Sequence, residues 1–522
     1  MPPSLPRRSV IKGAGALALA SALGPIGCAS APDGRPTPAG GRAFSDDPFG
    51  LGVASGDPLP DRVVLWTRLV PRPLEEGGGM GEAPVAVRWQ IAHDERFTRI
   101  VAQGEAQALA EHAHSVHVDA AGLSPARGYF YRFIAAGVAS PTGRTRTAPA
   151  AGADAGLLRL ASVGCQNYEA GYYTAYRHLA DEDLDLVIHT GDYIYERAAR
   201  KARGDLVRYH PAHESRTLAQ YRLRYALYKS DADLQAAHAA HPFAVIFDDH
   251  EVVNDWNGDM RSREFLERRA AGFRAWWEHM PVRAALMPQG GAIRIYRTLD
   301  YGRLARINLC DTRQHRTRQP CGGGTVERCG AESDPRAQML GALQEAWLFG
   351  QLQGTPARWN VVAQQVLMAE MNRARPDQAP AFDMDKWDGY RAARQRLLDL
   401  FASGAVANPV VLTGDIHRHI AVDLRPDCAQ TRTGAVAVEL VNTSISSRGD
   451  GGAKGAAPRS WQANNPHVRY TRDRRGYIRH VIGRDGWQAD FRVLDYVSRP
   501  GAPIRTDRSF VVEAGRSGLL SA

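Results

Sequence analysis

The chain has 522 residues, 44% of them hydrophobic, 23% charged and 8% aromatic. That length exceeds what one hydrophobic core serves, so at least two domains are expected, and the balance excludes a collagenous, coiled-coil or wholly disordered chain. The formal net charge is +9; the arginines are scattered, without a basic tail or arm, so a solvated surface that attracts anions is expected and no specific nucleic-acid partner.

The first 31 residues read as an export leader. Arg7 and Arg8 precede Val10, Ile11 and Lys12, and an uncharged Ala-, Leu- and Gly-rich stretch runs from Gly13 to Ala29. Paired arginines before a mild apolar segment resemble a Tat signal, which exports folded proteins through the Tat machinery to the periplasm or beyond. Ala29-Ser30-Ala31 offers a cleavage site. Cys28 is an alternative lipid anchor, but Pro25 fits that pattern badly. No other segment is long and apolar enough to span a bilayer. Without Cys28, five cysteines remain, so an exported chain keeps at least one unpaired. Cys321 and Cys329 flank a Gly-rich loop and could pair locally, and Cys310 in an apolar run reads as a core thiol.

Residues 32–45 form a Pro- and Gly-rich linker. From 46 to 148 the alternating runs Arg62–Leu69, Val85–His93, Ile100–Leu109, Ser115–Ala120 and Tyr129–Ala135 predict half-buried antiparallel strands. Leu123-Ser124-Pro125 followed by Tyr129 and Tyr131 resembles the tyrosine corner of a fibronectin III-like β-sandwich. From 157 to 512 the pattern changes. Apolar runs of strand length alternate with helical stretches such as Leu218–Tyr228, Glu264–Met280 and Tyr390–Ser403, predicting a layered α/β domain.

Four of these runs end in polar clusters. Leu158–Val163 leads to Cys165; Leu184–His189 leads to Gly191-Asp192 and Tyr195; Phe243–Phe247 leads to Asp248-Asp249-His250-Glu251; and Pro409–Leu412 leads to Gly414-Asp415-Ile416-His417. Open α/β sheets bind ligands beyond the carboxyl ends of their strands, so these clusters can converge on one cleft. A lone cysteine or Gly-Asp pair is ordinarily a buried thiol or a turn. Together, carboxylates, imidazole, thiol and phenol make a set of metal ligands. Thiolate and phenolate favour a highly charged transition-metal ion such as ferric iron. An oxygen-rich neighbouring site suits calcium or manganese. Two cations side by side would clamp a phosphate and activate water.

The same residues carry a family resemblance. Phe49-Gly50-Leu51-Gly52-Val53-Ala54-Ser55-Gly56-Asp57-Pro58, Ala161–Asn167, Gly191–Glu196, Asp248–Glu251, Asp311-Thr312-Arg313-Gln314, Leu412–His417 and Arg475-Gly476-Tyr477 resemble, in matching order, segments of the PhoD-like alkaline phosphatases. The resemblance implies a calcineurin-like metallophosphoesterase core of two packed β-sheets flanked by helices, behind the small sandwich. It implies Fe(III) and Ca2+, with manganese or zinc as alternatives to calcium, and hydrolysis of phosphomonoesters, phosphodiesters or both. Cys165, Asp192, Tyr195 and His417 would hold iron. Asp192 would bridge to calcium, completed by Asp415 and by Asp249 or Asn254. Asp249 stands where related metallophosphoesterases have Asn. His250 would contact phosphate or protonate the leaving oxygen as a metal-bound hydroxide attacks. Two other classes of activity fit the residues less well: a phospholipase D-like phosphodiesterase acting on lipid head groups, and a non-catalytic exported binding protein. Thr443–Ser447 reads as a polar loop near the site, and Trp387–Tyr390 either lines the pocket or packs on the core.

Overall fold

Short runs of β-branched and aliphatic residues, apolar on both faces, supply the central strands, and helices cover them. The computed structural model describes residues 44, 46–199, 207–211, 213–375, 377–428, 434–452 and 459–522; the expected leader and most of the linker lie outside them. The N-terminal part contributes β1 (Val53–Gly56), β2 (Arg62–Arg68), β3 (Val85–Ala92), β4 (Ile100–Ala108), β5 (Ser115–Ala121), β6 (Gly128–Ala135), β7 (Val138–Ala139) and β8 (Gly143–Arg146). Then follow β9 (Leu157–Val163), α1 (Thr174–Ala180), β10 (Leu186–His189), α2 (Leu218–Lys229), α3 (Ala232–Ala240), β11 (Pro242–Val245) and α4 (Arg263–His279). The next stretch holds β12 (Arg297–Tyr301), β13 (Ala305–Leu309), β14 (Thr325–Val326), α5 (Gly341–Gln353), β15 (Trp359–Ala363), β16 (Phe382–Asp383), α6 (Arg391–Ala402) and β17 (Pro409–Thr413). The chain closes with β18 (His419–Leu424), β19 (Ala437–Val441), α7 (Arg459–Asn464), β20 (Val468–Arg472), β21 (Gly476–Gly483), β22 (Gly486–Leu494), β23 (Ile504–Glu513) and β24 (Leu520–Ser521).

Two large mixed sheets form the core. One has ten strands in the order β24-β23-β22-β21-β9-β10-β11-β1-β2-β5, the other seven in the order β12-β13-β15-β17-β19-β18-β20. Strands β9, β10, β11 and β1 run parallel, as do β13, β15, β17 and β19. Alternate residues of a strand face opposite ways, and the second sheet uses both faces. Val361, Val410 and Leu412 join Leu160, Val187 and Phe243 of the first sheet in one buried cluster. Val362 and Val411 pack instead with Leu348 of α5 and Leu397 of α6. Both sets of parallel strands therefore stand face to face, and their carboxyl ends carry the polar clusters.

The N-terminal strands form two layers: β4-β3-β6-β7, with β8 on β6, and β1-β2-β5 at the edge of the ten-stranded sheet. Val63 and Leu65 of β2 and Val118 of β5 share a core with Ile91 of β3 and Tyr131 and Phe133 of β6. One layer of this region is thus also an edge of the large sheet, because β1 pairs in parallel with β11. At the turn into β6, the Tyr129 hydroxyl accepts from the Ser124 N–H at 2.9 Å, the local bond of a tyrosine corner. Residues 43–522 make one compact unit. No helix among the described residues is long and apolar enough to cross a membrane.

Candidate active site

The loops after β9 and β10 are tied together first. Cys165 N–H donates to Gly191 O and Gln166 N–H to Asp192 O, each at 3.0 Å. Gly191, at φ 110°, has no room for a side chain, since a Cβ there would run into the backbone and Cβ of Asp248. A glycine lets the β10 loop nest against the loop after β11. Gly414 is equally confined, its missing Cβ facing the Thr190 side chain. The two Thr-Gly-Asp ends thereby come together. Glu251 clamps the arrangement: its buried carboxylate accepts from the N–H groups of Asp192 (3.2 Å), Tyr193 (2.7 Å) and Asp248 (2.9 Å).

Donor atoms of Cys165, Asp192 and His417 lie within 4.8 Å of one another, and so do those of Asp192, Asp249 and His250. Asp192 belongs to both groups. Tyr195 joins the first: its hydroxyl donates to Asp192 Oδ2 at 2.9 Å and lies 3.0 Å from His417 Nε2. Ser447 Oγ reaches both the Tyr195 hydroxyl and Cys165 O, at 2.7 Å each, so the Thr443–Ser447 loop does border the site. Cys165, Asp192, Asp415 and His417 all adopt left-handed backbone, with φ between 56° and 66°. Such conformations are uncommon outside glycine and concentrate where function demands them.

Around the second group, His250 Nδ1 sits 2.6 Å from Glu196 Oε2, and its ring lies 4.2 Å from that of Tyr195. Asp249 Oδ2 accepts from Asp255 N–H at 2.7 Å. Asn254 is drawn elsewhere: Arg197 donates to its side-chain oxygen, and its amide donates to Asp255. Asp415 is engaged by two buried cations, Lys386 Nζ at 2.5 Å and Arg313 Nη2 at 3.3 Å. Arg313 also reaches Asp248 (2.5 Å) and Asp385 (2.9 Å). Glu196, Asp248, Glu251, Arg313, Asp385 and Lys386 have no role that follows from the sequence alone. All but the last two stand inside segments that carry the family resemblance, which was the available signal. Trp387 and Tyr390 pack on the core: Trp387 Nε1 donates to Gln364 and the Tyr390 hydroxyl to Thr317 O.

Burial drives the electrostatics. It pushes the Cys165 thiol well above its usual range, helped by the charges of Asp192 and Asp415, and likewise raises the Tyr195 phenol. It raises Asp192 to about 6, with Asp249 adding to the effect and His250 opposing it. His417 is lowered, first by burial and then by Arg448. Burial also opposes the His250 cation, but Glu196, Asp249 and Asp192 outweigh it and hold the imidazole at about 10. Burial works against the Asp249 carboxylate too, yet Arg313 and His250 bring it below its usual value.

These residues fit a bound cation. Asp192 Oδ1, Asp248 Oδ2 and His417 Nδ1 are buried with no hydrogen-bond partner among the described residues, and an unsatisfied buried carboxylate oxygen is costly. A cation at Asp192 would satisfy that oxygen and displace the protons that burial leaves on the thiol and phenol. The grouping of Cys321, Cys329 and Glu332 has another explanation, since the two cysteines form a disulfide.

Two facing sheets with parallel centres, joined by loops bearing thiol, phenol, imidazole and shared carboxylates, define a metallophosphoesterase-like protein. The description "PhoD-like phosphatase" matches residues 160–491, and "PhoD-like phosphatase, N-terminal domain" matches residues 34–149. Alkaline phosphatase D of Bacillus subtilis (strain 168) is 43% identical over 527 residues, covering 98% of this chain and 88% of that protein. A solved structure of PhoD superposes with a TM-score of 0.88 at 44% identity, covering 92% of this chain and 93% of the other. The chain belongs to the PhoD-like phosphatase family, and it is a phosphoesterase.

Proposed function

We propose that Cys165, Asp192, Tyr195 and His417 hold a ferric ion, and that Asp192 is shared with a calcium ion on the side of Asp249 and Asp415. The observation that carries this reading is the membership of Asp192 in both donor groups, with one oxygen unsatisfied. Asn254 is the weaker candidate, because Arg197 and Asp255 occupy its amide. Cations bound there would neutralise phosphate charge and make water a nucleophile near neutral pH. The chain's own groups do the rest. Glu251 and Ser447 fix the loops that present Asp192, Cys165 and Tyr195. Arg313 and Lys386 hold Asp415 and its neighbours in place. Glu196 binds His250 through Nδ1, orients the ring, and keeps it protonated, so that Nε2 can deliver a proton to the leaving oxygen.

The substrates are phosphomonoesters, phosphodiesters or both. The region 46–148 serves as a fibronectin III-like module and 157–512 as the catalytic part. Export follows the Tat route to the periplasm or the medium, and the Cys321–Cys329 disulfide supports an oxidising destination. A panel of chromogenic monoester, chromogenic diester and phospholipid, run on protein purified without chelators, tests this reading. Turnover of the monoester or diester is expected, together with a visible charge-transfer band from thiolate or phenolate on ferric iron. Activity confined to phospholipid would overturn the substrate class, and a colourless, fully active enzyme would remove iron.

A further inference from the structure

The loop after β19 carries an exposed arginine next to a residue that touches the site. Cys165, Asp192 and Asp249 are buried, whereas Asp415 and His417 are only partly so, and the site therefore opens on the side of the last two. Ser447 touches Tyr195 and the Cys165 carbonyl. The next residue, Arg448, is exposed and stands at φ 68°, a conformation unusual for a long side chain. The two neighbouring arginines have a counter-ion. Arg418 lies 3.3 Å from Asp473 Oδ2, and Arg475 binds Oδ1 of the same carboxylate and donates to His417 O at 2.7 Å. Arg448 forms no hydrogen bond or ion pair among the described residues. The groups that feel its charge include His417, Arg418 and Arg475, all basic. This exposed guanidinium belongs to a residue in left-handed backbone next to Ser447, Asp473 is already taken by Arg418 and Arg475, and no anion pairs with it among the described residues. Its planar fork matches phosphate.

We infer that Arg448 is a specificity-determining residue that receives a second phosphate carried on the leaving group of the substrate, outside the scissile phosphate. This rests on the phosphoesterase reading above and extends it to substrates with two anionic groups. The guanidinium takes no part in bond cleavage; it binds, and its contribution appears in KM.

The test compares matched substrates, fructose 1,6-bisphosphate and fructose 1-phosphate, on the holoenzyme and on R448Q, R448G and R448K. The wild type should favour the bisphosphate. In R448Q and R448G the ratio of kcat/KM between the two should fall about tenfold, through KM, as expected for loss of one charge-assisted contact. R448K should keep part of it, and high salt should narrow the gap between wild type and variants. Gln and Gly should behave alike, although only Gly relieves the backbone. A ratio unchanged in R448Q and R448G, or an equal loss on both substrates, would overturn the inference, the second result placing Arg448 on the scissile phosphate. Failure of the wild type to hydrolyse either ester would count against phosphomonoester substrates, and with them against the inference.

Discussion

Four of the proposed ligands, Cys165, Asp192, Asp415 and His417, are held in left-handed backbone, each at a cost of about 1–3 kcal/mol. The carboxylate of Glu251 and the hydroxyl of Ser447 are among the groups that hold their loops so. His250 illustrates how such positioning serves chemistry. Its folded pKa, about 10, lies above the usual value, so the protonated ring persists through neutral and mildly alkaline pH and is lost as pH rises through about 10. His250→Gln should lower kcat by about 10²–10⁴-fold on an alkyl phosphate, and much less on p-nitrophenyl phosphate, whose leaving group needs no proton. Equal losses on both would show that His250 acts otherwise than as proton donor. At this scale the candidate ligands stand out in the sequence, because side chains able to bind metal are chemically distinctive. Arg313, Lys386 and Glu251 were not legible as site residues. Arginine, lysine and glutamate are common on surfaces, and only the fold shows Arg313 buried against Asp248, Asp385 and Asp415.

Among elements, the strands ending at the site were the most legible. Leu157–Val163 and Pro409–Thr413 form within a residue of the apolar runs that predict them, since burial on both faces leaves an unbroken apolar signature. The helix Ala232–Ala240 and the C-terminal strands Gly476–Gly483, Gly486–Leu494 and Ile504–Glu513 gave no comparable signal. The helix is alanine-rich with few large apolar residues, and the strands mix Arg and Asp with apolar residues, as in Arg479–Asp490, paired at 2.7 Å. Helix α2 ends in a further unforeseen feature. Lys229 is buried, with its ammonium 4.2 Å from the centre of the Trp66 ring and 3.1 Å from the Tyr193 hydroxyl. Burial lowers its pKa from 10.5 to about 7. The folded value is depressed, so this lysine's destabilising effect is absent above about 10.5, grows as pH falls to about 7, and is constant below. Its full size is roughly 5 kcal/mol for complete burial. Lys229→Met should therefore raise Tm at pH 7 and flatten the gain in stability that the wild type shows between pH 7 and 10. Parallel melting curves for the two proteins across that range would contradict the assignment.

At the scale of the whole molecule, the sequence marks a change of pattern near residue 150 but not the strand pairing that bridges it. Register between distant strands leaves no local trace. Strand β1 pairs with β11, Trp66 Nε1 donates to Glu278 O at 3.0 Å, and buried Asp57 binds Arg297 at 2.7 Å. Removing the N-terminal region would bare a strand edge beside the site and leave Arg297 without Asp57. A fragment of residues 151–522 should accordingly aggregate or fail to fold, judged by size-exclusion chromatography and circular dichroism. A monodisperse, fully active fragment would show that the two regions are independent.

The convergence of distant loops on one shared carboxylate is tested most directly by elemental analysis of wild-type protein and Asp192→Ala, both purified without chelators and both checked for native circular dichroism. Because Asp192 belongs to both donor groups, the wild type should carry a transition metal together with a second cation, and the variant should lose both along with activity. A folded Asp192→Ala protein that keeps its full metal content would contradict the account.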